Sequence, residues 1–359
     1  MPIKCIPEIQ QPSATFKHPV TRIPARWWEP DAGQRVRCIL CPRYCRIPDH
    51  SRGFCYSRKN VHGQLYTTAY GYCSGLAPDP IEKKPLYHFY PGSRILSFGT
   101  TGCNLGCKYC QNWHLSKKNN YSSGNRSIQP SELVATAKNM GCIGIAYTYN
   151  EPIISAEWVR EVARQAHRSG LKNVLVTNGF VTPEAREGVF KYIDAVNVDL
   201  KSFSESFYRK MTLSHLDPVV DTLCWLISKK YIWVEITNLI IPGVNDSQIE
   251  LTNLVRFIIS ELDPRIPLHF SAFHPAYKML NYPTTPIQTL RLARRIARES
   301  GLQFVYLGNI LTSDGQSTNC PHCNLPLILR KFYPVRVTGL VNGVCKQCGI
   351  KLPGRFVKM

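Results

Sequence analysis

Cys103, Cys107 and Cys110, in the stretch CNLGCKYC, are the residues of this sequence best suited to chemistry. Three thiolates leave a tetrahedral zinc site one ligand short, and no fourth cysteine lies nearby in the sequence. The same three can hold three irons of a [4Fe-4S] cube and leave the fourth iron open, as catalytic metal sites keep a vacant position. An open iron can bind a substrate or cofactor directly. Gly102 and Gly106 let the backbone fold closely around such a cube. Tyr109, between the last two cysteines, supplies an aromatic face against which a purine could lie. A third structural zinc site is the bland alternative.

The other cysteines sort by spacing. Cys320, Cys323, Cys345 and Cys348 form two CxxC knuckles, the pattern that closes a tetrahedral S4 site of the zinc-ribbon type. Cys38, Cys41, Cys45 and Cys55 form a less diagnostic set, for which zinc is the first choice and a second iron–sulfur cluster the alternative. Cys5, Cys73, Cys142 and Cys224 stand alone and are expected to be small buried hydrophobes. The chain carries 15 cysteines, and its first residues lack the apolar segment of a secretory signal. Clustered cysteines then point to metal rather than disulfides. No apolar run approaches the ~20 residues of a membrane span, so no membrane partner and a cytoplasmic location are expected.

The 44 Lys and Arg residues against 24 Asp and Glu give a formal net charge of +20. That balance favours anionic partners, whether nucleic acid, a phosphate-bearing substrate or an acidic protein surface. A composition of 44% hydrophobic and 19% charged residues excludes a disordered chain. Arg291, Arg294, Arg295 and Arg298 fall on one helix face, read first as a solvated outer face and second as a docking stripe.

These groups need a frame. Strand-like runs occur at Ile95–Phe98, Ile143–Tyr147, Val174–Thr177, Ala195–Asp199, Ile232–Ile241, Leu268–Phe273 and Phe304–Leu307. Helical patterns lie between them, opened by Pro130, Pro152, Thr182-Pro183, Asp246 or Ser247, and Pro286, and several close at a glycine. The alternation predicts an α/β fold with a parallel sheet, in which reactive groups belong at the carboxyl ends of strands. Asn150-Glu151-Pro152, Thr177-Asn178-Gly179 and Asp199-Leu200-Lys201 follow three successive strands, and His269 lies in the sixth. The chain is expected to divide into an N-terminal four-cysteine module (1–92), an α/β core (93–310) and a zinc-ribbon-like module (311–359).

CNLGCKYC has the CxxxCxΦC pattern of the radical S-adenosylmethionine (SAM) superfamily, with Tyr109 as the aromatic residue. The stretches DPIEKKPLYHFYPGS, GTTGCNLGCKYCQNW, AYTYNEP, VTNGF, DAVNVDLK, FYRK, NLIIPGVND and HFSAFHPAYKM resemble the AmmeMemoRadiSam-system radical SAM enzymes, relatives of the pyruvate formate-lyase-activating enzymes. The resemblance implies a partial (β/α)6 TIM-like barrel, a [4Fe-4S] cluster on Cys103, Cys107 and Cys110, and SAM chelated at its open iron. It implies reductive cleavage of SAM to a 5′-deoxyadenosyl radical that abstracts hydrogen from a substrate, with glycyl-radical formation on a partner protein as one outcome. Glu151 and its neighbours are implied at the amino end of SAM, Lys201 and His269 at its carboxylate, and Asp199 close by. Tyr109, Asn150, Thr177 and Asn178 complete the implied surroundings. The sequence has Tyr149-Asn150-Glu151 where the activating enzymes have two glycines and Glu, and Val176 where they have Asp. Implied partners are a flavodoxin- or ferredoxin-type electron donor and Memo-type and AMMECR-type proteins. The charge and the zinc ribbon keep RNA open as a substrate. From another class, a zinc-ribbon nucleic-acid-binding or scaffold protein without catalysis is the rival reading.

Overall fold

Seven apolar runs of the core pair side by side in one sheet. The computed structural model describes residues 23–117, 127–312, 314–331 and 334–357; Cys5 lies outside them. The central sheet contains β1 (Ser74–Pro80), β2 (Arg94–Gly99), β3 (Gly144–Tyr147), β4 (Lys172–Thr177), β5 (Ala195–Asp199), β6 (Trp233–Ile240), β7 (Leu268–Ala272) and β8 (Val305–Gly308), in sequence order across the sheet. From β2 to β8 every pairing is parallel, and only β1 runs antiparallel. The near-continuous burial of runs such as Ala195–Val198 is the mark of strands covered on both faces. All seven expected strands are present.

Parallel neighbours demand crossovers, made by α1 (Pro130–Asn139), α2 (Ala156–Arg168), α3 (Pro183–Phe190), α4 (Asp217–Ser228), α5 (Gln248–Phe257) and α6 (Ile287–Glu299). Their starts follow local chemistry. Gln129 and Glu132 form a capping box on α1, and the Ser247 side chain accepts from Glu250 N–H at the start of α5. Because the strands are wound in one direction with one crossover hand, the helices share one face. The strand ends are left free to carry a site on the loops that follow them.

Two elements lack a clear sequence signal. β1, SGLAPDP, reads as a turn, but its prolines are tolerated because the strand lies at the sheet edge. α4 carries Cys224 to the exposed side while Leu223 and Leu226 are buried, which corrects the expectation of a buried Cys224. Cys142 is buried as expected. The arginine face of α6 is largely engaged locally: Arg291 and Arg294 pair with Asp314, and Arg298 donates to the Leu302 and Gln303 carbonyls.

Small modules pack at both ends. At the N-terminus, Ile23–Pro24, Arg58–Val61 and Gln64–Thr67 form one antiparallel sheet, and Trp28–Pro30, Val36–Cys38 and Arg46–Ile47 another. The buried guanidinium of Arg58 binds Glu157 of α2 through two hydrogen bonds of 2.7 and 2.9 Å. At the C-terminus, Leu327, Ile328, Leu340 and Leu352 share a core with Tyr87, Phe304 and Tyr306. Arg330 stacks over Tyr87 at 4.2 Å and bonds its carbonyl at 2.6 Å. Among the described residues, no helix is long and apolar enough to cross a membrane.

Candidate functional site

The chain leaves β2 at Gly99 and turns immediately into the cysteine loop. Gly102 is held at φ +96°, and an added Cβ would lie 2.1 Å from the Cys55 carbonyl oxygen, so this position requires glycine. Asn150, at the end of β3, ties the loop down. Its Oδ1 accepts from Thr100 N–H (2.8 Å), and its Nδ2 donates to Thr100 Oγ1 and the Gly102 carbonyl (both 2.9 Å).

The next strand end supplies two further ties. Asn178 donates to Asn104 Oδ1 at 2.8 Å, and Asn104 donates to the Phe180 carbonyl at 2.8 Å. Glu151 joins the β3 and β4 loops: its carboxylate accepts from Ile153 N–H (3.0 Å), Thr177 Oγ1 (2.7 Å) and Asn178 N–H (2.8 Å). Burial pushes its carboxyl up to about 7 against those three donors. At the end of β5, Lys201 Nζ lies 2.6 Å from Asp199 Oδ2. Burial alone would lower this ammonium, but the Asp199 carboxylate outweighs it and holds it above its usual range.

These groups line one cleft of about 570 Å³, whose walls include Cys103, Cys107, Cys110, Tyr109, Asn150, Glu151, Thr177, Asn178, Asp199 and Lys201. His269 is not among them. It shares the inward face of β7 with Ser271, which does line the cleft, but sits one layer deeper, with Nε2 2.7 Å from the buried Glu235 and its ring against Tyr87. His269 is therefore not on the cleft wall where the sequence reading had it: its Nε2 is turned to the core carboxylate of Glu235. Tyr109 is buried and packs on Phe207.

The cleft also holds Asp79 and Asn112, which the sequence reading missed. Asp79 of β1 accepts from Lys84 (2.8 Å), Lys83 (3.1 Å) and the Tyr149 hydroxyl (2.9 Å). Lys84 and Lys83 hold its carboxylate down at about 2 despite burial, which works the other way. Asn112 fastens the far side of the cysteine loop to the Tyr149 carbonyl at 2.7 Å. The available signals were DPIEKKP and AYTYNEP, stretches that place these groups in sequence but not beside one another.

The residues fit an iron–sulfur group. Three thiols open on the cleft, and among the described residues no fourth cysteine lines it. Burial raises the Cys103 and Cys107 thiols, so a bound metal is what would keep them deprotonated. The C-terminal thiols are arranged differently. Cys320 and Cys348 are 3.5 Å apart, Cys323 and Cys345 3.6 Å, and all four sulfurs lie within 4.8 Å of one another. Cys38, Cys41, Cys45 and Cys55 line a second, smaller cavity beside Asn104.

The family model described as the radical SAM superfamily matches residues 98–255, which carry the cysteine loop and the strand ends around it. The uncharacterized protein MJ0808 of Methanocaldococcus jannaschii is 42% identical over 91% of this chain and 98% of its own length. The chain belongs to the radical SAM superfamily. Another relative of this radical SAM protein is the pyruvate formate-lyase 1-activating enzyme of Escherichia coli K12, 25% identical over 44% of this chain and 64% of that enzyme. The crystal structure of a radical SAM methyltransferase from Sphaerobacter thermophilus aligns with a TM-score of 0.48 at 16% identity, over 64% of this chain and 71% of that one.

Proposed function

We propose that this radical SAM protein is an enzyme that holds a [4Fe-4S] cluster on Cys103, Cys107 and Cys110, binds SAM in the adjoining cleft, and abstracts hydrogen from a partner polypeptide. The observation that carries the reading is a loop of three thiols, with no fourth beside them among the described residues, opening on a cleft that ends in a charged pair. When bound, the cluster supplies the electron that splits SAM into methionine and a 5′-deoxyadenosyl radical. Lys201 and Asp199 offer a cation and an anion to the carboxylate and amino groups of an amino-acid ligand. Glu151, Asn150 and Asn178 act by position: they fix the cysteine loop against the strand ends. The Asp79–Lys84–Tyr149 cluster forms part of the wall. The consecutive strand order supports a partial barrel, and the compact C-terminal thiols support a structural zinc ion. Similarity to an activating enzyme supports a polypeptide substrate and a flavodoxin- or ferredoxin-type donor.

The test is anaerobic reconstitution, reduction with dithionite and addition of SAM. 5′-Deoxyadenosine is expected; its complete absence from cluster-loaded protein would overturn the reading. The charge of +20 favours a second substrate class, RNA. A gel shift with cellular RNA that weakens steeply with salt would support RNA, and no shift at low salt would remove it.

A further inference from the structure

We propose that Cys38, Cys41, Cys45 and Cys55 hold an iron–sulfur cluster rather than a zinc ion, and that this cluster lies directly against the loop of the first. The molecule provides its own standard for a zinc-sized site. One ion about 2.3 Å from each of four tetrahedral sulfurs places those sulfurs about 3.8 Å apart, and the C-terminal thiols match that spacing. The N-terminal quartet does not. Among the described residues, no three of its sulfurs come within 4.8 Å of one another, yet all four line a single cavity. A cubane binds each thiolate to a different iron and so spreads its ligands further than a single ion does.

The rest of the cavity wall suits an anionic, sulfur-rich guest. Leu40, Ile47, Ile153 and Ile154 are apolar, and the charged groups on the wall are Arg43 and Arg58. Arg58 is 1% exposed; its terminal nitrogens bind Glu157, but its buried Nε–H has no partner. An orphaned donor on the wall of a cavity is costly, and a thiolate or inorganic sulfide would satisfy it. Arg43, also on that wall, donates to the carbonyls of Asn104 and Leu213 and so ties the quartet's cavity to the residue that follows Cys103.

The two cysteine loops touch. The Cys55 carbonyl occupies the space a Cβ on Gly102 would need, and Ser57 Oγ lies 3.1 Å from the Thr101 carbonyl. The loop that carries Cys55 and the loop that carries Cys103 are therefore in direct contact. This inference goes beyond the proposed SAM chemistry, because the metal held by the quartet can be read without any turnover.

The full-length chain is reconstituted anaerobically with iron and sulfide, and metals are counted. With two cubanes and one C-terminal ion, about eight irons and one zinc per chain are expected; about four irons and two zincs would overturn the proposal. The Cys103→Ala/Cys107→Ala/Cys110→Ala variant should keep about four irons and the charge-transfer absorption of a cluster. An iron-free variant with two zincs would again overturn it. The Cys41→Ala/Cys55→Ala variant should lose the quartet's iron and keep that of the first site. Dithionite delivers one electron to each cluster, so two adjacent paramagnets should couple. The electron paramagnetic resonance spectrum of the wild type should be broadened relative to the sum of the two variants, and a simple sum would overturn the adjacency. Absence of deoxyadenosine from a wild type carrying eight irons would sink the SAM reading and leave this one standing.

Discussion

Replacing Gly102 with alanine tests whether the contact between the two cysteine loops positions the site. Two costs add at this residue. Its φ of +96° lies in the region an L side chain avoids, which costs about 1–2 kcal/mol. The new methyl carbon would then lie 2.1 Å from the Cys55 carbonyl oxygen, a backbone atom that cannot rotate aside. Overpacking of this kind costs about 1–3 kcal/mol more. Gly141, at the end of α1, separates the two terms: its φ is +63°, and nothing lies within 4 Å of an added Cβ. Gly141→Ala should therefore show only the conformational cost of about 1–2 kcal/mol. The assay is a denaturant midpoint followed by tryptophan fluorescence, with iron counted after reconstitution. Gly102→Ala should unfold about 1–3 kcal/mol more easily than Gly141→Ala and retain less iron. Equal midpoints and equal iron in the two variants would refute the claim that the loops are in enforced contact.

Asp79 should shape the acid limb of the stability curve. Its carboxyl is held at about 2 in the fold against an ordinary 3.8, so the folded state binds that proton less tightly, and stability is present above pH 4 and lost as pH falls towards 2. The loss is about 2 kcal/mol, and acid titration of Asp79→Asn should lack it. Glu157→Ala would leave Arg58 buried without its counter-charge and should cost about 3–5 kcal/mol, with earlier proteolytic cutting of the N-terminal module. Asn178→Ala strands Asn104 Oδ1 and Phe180 N–H, both partners of its side chain; about 1–3 kcal/mol for each buried group should appear in the same denaturant assay, together with faster iron loss to a chelator.

How much was legible in advance depended on the range of the interaction. That the three thiols of CNLGCKYC share one cleft with the polar strand ends was legible, because the spacing keeps the thiols together and parallel sheets gather their polar loops at the carboxyl edge. His269 could not be placed the same way. Alternation assigns it to the inward face with Ser271, but a period of two says nothing about depth, and Glu235 had already claimed its ring one layer down. Asp79 and Tyr149 are 70 residues apart and meet only because β1 folds back antiparallel on the sheet edge. Cys224 misled because its neighbours in TLCWLIS are apolar, and only the phase of α4 decides which of them face the core.

The ties around the cysteine loop are almost all polar, and there is a physical reason for it. A cleft lined by Asp79, Lys83, Lys84, Asp199 and Lys201 cannot be built from close-packed hydrocarbon, so its walls are positioned by hydrogen bonds. Hydrogen bonds are modest in net gain but expensive to leave unmade when buried. A network such as Glu151 with Ile153, Thr177 and Asn178, continued by Asn178 with Asn104, therefore acts as a selector. Shifting one loop strands several buried donors together, and the cost rises faster than pairwise loss would suggest. Asn104 is next in sequence to Cys103, and Asn150 grips the carbonyl of Gly102 immediately before it. The thiols thus inherit their position from neighbours that do no chemistry themselves. On this view, variants of Asn150 or Asn104 impair the loop by releasing it, and their effect on bound iron should exceed their effect on the fold of the helices outside.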